Sequence, residues 1–156
     1  MSQRRELVRL VKDLRRARRS FLKVVEAIEP SSLDAILDES GWTARRLIGY
    51  CRATERAYFS RLFHFFNEEV EIRDSMDASL DHVAAEDPAQ SLANECSQVW
   101  LAGRETEMWV DILVEEDLDQ VRPASPEWPL GNWTIRGVFT KVANLYREKG
   151  RELAAI

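Results

Sequence analysis

Leu7, Leu10, Leu14, Ala17, Phe21, Val24 and Ile28 follow one another at alternating spacings of three and four residues. Only an α-helix keeps all of these side chains on one side; a strand would scatter them over both faces. Val8, Val11, Leu22 and Val25 widen the stripe, so the helix needs apolar partners on more than one side. Pro30 stops it, because the residue before a proline is driven out of the helical region. The spacing therefore predicts a helix over residues 2–28, with its arginines mainly on the face opposite the stripe.

Three further helices read out in the same way. One opens at Gly41-Trp42-Thr43, with Thr43 as N-cap, and carries Ala44, Leu47, Ile48, Cys51, Tyr58, Leu62 and Phe66 at helical spacing. A third is expected to start at Asp87-Pro88 and run to 115–118, marked by Leu92, Cys96, Val99, Gly103, Val110 and Leu113, with Trp100 and Trp109 beside that face. A fourth opens at Asn132-Trp133-Thr134, with Ile135, Val138, Val142, Leu145, Lys149 and Leu153 along one face. Pro123, Pro126 and Pro129 exclude helix and central strand between the third and fourth. Residues 67–87 carry eight acids and one arginine with no good period, and read as a long solvated loop with at most a short helix over 78–85. No segment has the alternation of a strand. Residues 1–156 are therefore expected to form one all-α domain, a four-helix bundle with a long crossover between its second and third helices.

The charge limits the classes of partner. The net charge is −5, but residues 1–23 hold nine basic side chains against two acids. The basic first helix could suit an anionic surface, yet the rest of the chain is strongly acidic and no base-reading motif appears, so neither nucleic acid nor membrane is expected as a partner. No run of 18 apolar residues could span a bilayer, and no secretion signal is visible, so a cytoplasmic location is expected. Cys51 and Cys96 are too few for a disulfide framework. His64 and His82 are the only histidines.

The two halves of the chain echo each other. GWTARRLIGYCRATERAYFSRL and NWTIRGVFTKVANLYREKGREL align at an offset of 91, sharing Trp-Thr-x-Arg and a later arginine, Arg56 and Arg147. With the doubled Trp-Thr entry and the long acidic crossover, the chain resembles the DinB-like superfamily of four-helix bundles over nearly its whole length. That resemblance implies a fold with three metal-binding histidines, a frequent homodimer and, in some relatives, thiol-dependent transferase or isomerase activity using mycothiol or bacillithiol. It puts the first histidine eight residues after Trp42, where this chain has Tyr50, and the other two four residues apart ahead of Leu153, where it has Leu145 and Lys149. Leucine cannot ligate, charged lysine is repelled by a cation, and tyrosine is a poor zinc or nickel ligand near neutral pH.

The expectation is thus a degenerate, metal-free pocket at Tyr50, Leu145 and Lys149, with no cofactor and no catalytic residue. Such a pocket would serve small-molecule binding or a structural or interaction role; the alternative is a metal-independent relative of the thiol-dependent transferases. Glu55 is expected to line the pocket and to pair with Lys149, since a buried charge without a partner is very costly. Aromatics such as Trp109 and Trp128 are expected on the surface, where they would favour a homodimer.

Overall fold

The computed structural model describes residues 5–37, 39, 41–74 and 90–156. Among the described residues the chain forms four α-helices and no strand. The helices are α1 (Arg5–Glu26), α2 (Ala44–Phe66), α3 (Leu92–Met108) and α4 (Ile135–Ala154). The expected short helix over 78–85 and the start at Asp87-Pro88 lie outside the described residues. The described part of α3 is capped by Ser91, whose Oγ accepts from the backbone N–H of Asn94. It ends at Met108, short of the expected 115–118, and two 3-10 turns, Val110–Ile112 and Glu115–Asp117, continue the chain instead.

The packing order differs from the chain order. α1 packs along α3 and α4, and α2 packs along the same two, so α1 and α2 occupy opposite corners. Side-chain pairs fix the directions. Glu6 meets Arg136 and Asp13 meets Arg147, so α1 and α4 run parallel. Arg45 meets Glu95 and Glu55 meets Thr106, so α2 and α3 are also parallel. Phe59 on Phe139 and Glu55 with Tyr146 make α2 and α4 antiparallel. Two parallel neighbours cannot be joined by a tight turn. The end of one and the start of the next lie about 25–35 Å apart for helices of this length, which is why the α2–α3 connection has to be long.

Leu14, Phe21, Val25, Ile48, Leu62, Val99, Val142 and Leu153 belong to the continuous core. The two Trp-Thr segments are built alike. Thr43 Oγ1 accepts from Arg46 N–H and Thr134 Oγ1 from Gly137 N–H, capping α2 and α4. Trp42 and Trp133 are both buried. The likeness extends into stretches with little sequence identity. A 3-10 turn precedes each segment, at Pro30–Ser32 and Glu115–Asp117. The leucine after each turn, Leu33 or Leu118, accepts from the N–H of the helix-entry arginine, Arg45 or Arg136. The next residue, Asp34 or Asp119, then clamps that guanidinium with two hydrogen bonds of 2.7–3.2 Å.

Candidate functional site

The four helices meet around Glu55. It lies on α2 one turn beyond Cys51 and is fully buried. Its carboxylate takes one partner side chain from each of the other helices. Arg18 of α1 donates Nε to Oε1 at 3.0 Å and Nη2 to Oε2 at 2.5 Å. Thr106 Oγ1 of α3 donates to Oε2 at 2.7 Å, and Tyr146 Oη of α4 donates to Oε1 at 2.5 Å. Each oxygen thus receives two donors, and the buried negative charge faces a buried positive one. The offset that aligns the two Trp-Thr segments also carries Glu55 onto Tyr146, so corresponding positions of the two halves meet at the centre.

Small neighbours make room for this cluster. A Cβ added to Gly103 would stand 2.5 Å from Arg18 Cζ, so glycine is what lets the guanidinium lie against α3. Phe21 closes one side with its ring 5.1 Å from that of Tyr146. Burial alone would push the Arg18 guanidinium down, but the adjacent Glu55 charge and their hydrogen bonds hold it above its ordinary value. The Tyr146 hydroxyl is pushed well up by burial and by the Glu55 charge. Near neutral pH the cluster therefore holds a charged guanidinium and a protonated phenol.

Glu55 is accordingly not the partner of Lys149. Lys149 is half-buried, and its Nζ pairs with Glu152 on the same helix at 3.2 Å. The cause is a register difference of one residue on α4. The buried face runs through Ile135, Val138, Phe139, Val142, Tyr146, Gly150 and Leu153, while Leu145 and Lys149 lie on its flank. Tyr50 is half-buried and meets the Trp42 ring edge-on at 5.7 Å. The structure thus does not bring Tyr50 and Leu145 into the Glu55 cluster.

Sequence reasoning missed Arg18, Thr106 and Tyr146. A signal existed for two of them: Arg18 stands four residues after Leu14 and three before Phe21, and Tyr146 four after Val142. Both are on the core stripes by spacing.

Nucleophiles and metal donors are sparse. Burial pushes the Cys51 thiol well up, with Lys149 pulling weakly the other way; Cys96 is half-buried and also raised. His64 donates Nδ1–H to the Val70 carbonyl at 2.7 Å, and His82 lies outside the described residues. No group of three His, Cys, Asp or Glu side chains placed to hold a metal ion occurs among the described residues, and none of their helices is long and apolar enough to cross a membrane.

A cavity of about 400 Å³ opens between Tyr58 of α2, the loop at 121–133 and the first turns of α4. Trp128, expected on the surface, is 5% exposed and stacks on Trp133 with centroids 4.4 Å apart and planes 14° from parallel. Tyr58 stacks on Trp128 at 5.9 Å. Trp109 is likewise only half-exposed; the exposed apolar side chains of α3 are Trp100, Leu101 and Met108.

No protein-family model, curated protein or solved structure matches the chain.

Proposed function

We propose that this chain is a DinB-like bundle that has lost the metal chemistry of that superfamily and acts as a small-molecule-binding protein rather than a catalyst. The observation that carries this reading is the saturation of Glu55. A general base needs a free lone pair within reach of substrate, whereas Glu55 is fully buried with both oxygens doubly hydrogen-bonded. The buried Cys51 thiol, with its pKa raised, is no nucleophile. The doubled Trp-Thr entries and the long α2–α3 connection support the DinB-like assignment. Tyr50, Leu145 and Lys149 at the three expected histidine positions support the loss of metal. The Tyr58–Trp128–Trp133 cavity supports binding, since ligand sites are concave, largely apolar and edged by a few polar groups.

Native mass spectrometry of protein purified from lysate without a histidine tag tests the reading, together with elemental analysis. The expected result is a co-purifying small molecule and no stoichiometric metal. Near one equivalent of zinc, nickel or iron per chain would refute it. The same reading includes a cytoplasmic homodimer, its interface centred on Trp100, Leu101 and Met108, because solitary domains seldom leave such a stripe uncovered. Light scattering should then return twice the 18.1 kDa chain mass, falling to the single mass for Leu101→Glu.

A further inference from the structure

We propose that the cavity beside Tyr58, Trp133 and Lys141 binds a small planar aromatic monoanion, a one- or two-ring system bearing a single carboxylate. The proposal rests on the reading of the chain as a small-molecule binder and assigns the site and the chemical class of its ligand.

The walls set the shape. The rings of Tyr58, Trp128 and Trp133, stacked in that order, make an apolar aromatic column along the cavity. Their backbones are pinned. Trp133 exchanges two hydrogen bonds with Arg122, and Trp128 exchanges two with Ser125. A rigid aromatic wall favours a rigid aromatic partner, and about 400 Å³ lies in the range that takes a ligand of this size.

The polar groups set the charge. Aromatic walls alone would also suit a cation, so the edges decide. Among the described residues Lys141 is the only charged one lining the cavity. Its Nζ lies 5.3 Å from the Tyr58 ring centroid, and it has no carboxylate partner among the described residues, in a chain whose net charge is −5. Two side-chain acceptors at the cavity are already engaged: Asn132 Oδ1 takes Ala124 N–H, and Thr134 Oγ1 takes Gly137 N–H. α4 turns its positive end toward the cavity from the Thr134 cap, which favours an anion there. An ammonium without a carboxylate partner among the described residues and a helix N-terminus both ask for one negative group.

Three isosteric probes separate the possibilities: 1-naphthoate, 1-naphthalenemethanol and 1-naphthylmethylammonium. Each is titrated calorimetrically into the full-length protein, and the indole N–H signals are followed by NMR. The expected order puts naphthoate first by about tenfold, which corresponds to about 1.4 kcal/mol. Its binding should shift the Trp128 and Trp133 indole signals and leave those of Trp42 and Trp100 in place. Lys141→Met, at an exposed position, should remove that tenfold preference for naphthoate and leave the alcohol unaffected. Three equal affinities, a preference for the ammonium, an insensitive Lys141→Met variant, shifts confined to other tryptophans, or no naphthoate binding by folded protein would each overturn the proposal. If any of these occurs while a different small molecule co-purifies from lysate, the ligand assignment falls and the binder reading stands.

Discussion

Glu55→Gln removes one negative charge and little volume from the point where the four helices meet. Arg18, 5% exposed, is then a buried guanidinium facing an amide. Breaking a buried pair by removing one partner costs about 3–5 kcal/mol. Arg18→Met strands the carboxylate instead and should cost about the same. In the double variant neither charge is left behind, and the glutamine oxygen still accepts from Tyr146 or Thr106, so the loss should fall short of the sum by about 2–3 kcal/mol. Tyr146→Phe deletes one hydrogen bond to a charged group and should cost about 1.5–3 kcal/mol. Lys149→Met removes only the pair with Glu152 within one helix, and should lie within about 0.5 kcal/mol of the parent. Domains of this kind are stable by about 5–15 kcal/mol, so all these variants are measurable. Urea unfolding at neutral pH, with unchanged m-values as the check on two-state behaviour, gives the cycle directly. Additive single effects below 1 kcal/mol, or a Lys149 effect equal to that of Arg18, would refute the central pairing.

The other expectations are independent of that cycle. Gly103→Ala gains about 0.5–1 kcal/mol of helix preference but drives a methyl into Arg18, which Glu55 holds in place. It should destabilise on balance by about 1 kcal/mol, and the sign should reverse in the Arg18→Met background; melting the four proteins checks both. Thr43→Ala and Thr134→Ala should each cost about 1 kcal/mol by thermal or urea melts. Hydrogen bonds from Arg45 and Arg136 hold the Asp34 and Asp119 carboxyls below the ordinary aspartate range. Their contribution is present above the unfolded pKa and lost as pH falls through the lower folded one, so carboxyl NMR titrations should show both midpoints below that of free aspartate. Cys51 should resist Ellman's reagent in the native protein and react on unfolding.

What could be read in advance followed from where side-chain chemistry is loud. The α1 stripe, the Thr43 cap and the two Trp-Thr helix entries were legible because apolar spacing and cap chemistry are local. The α4 register was not: Leu153 lies four residues from Lys149, three from Gly150 and seven from Tyr146, all helical neighbours. Leu145 advertised an apolar face more strongly than a glycine and a tyrosine did. Arg18 was hidden for another reason. It is one of nine basic residues in the first 23, and nothing local separates a buried arginine from a solvated one. Its distinguishing partners, Glu55 and Gly103, are 37 and 85 positions away.

The diagonal placement of α1 and α2 bears on how the chain is made. A nascent chain that has completed α1 and α2 holds two helices bound for opposite corners, with both flanking positions empty. The most extensive helix–helix contact of α1 is with α4, which follows α1, α2 and α3 along the chain. The α1–α2 stretch therefore has no core of its own to close around, and the apolar face of α1 stays exposed until α4 has been made. Long-range pairing of this kind slows folding and leaves intermediates open to aggregation. The dense arginines on α1 keep that waiting helix charged and soluble in the interval.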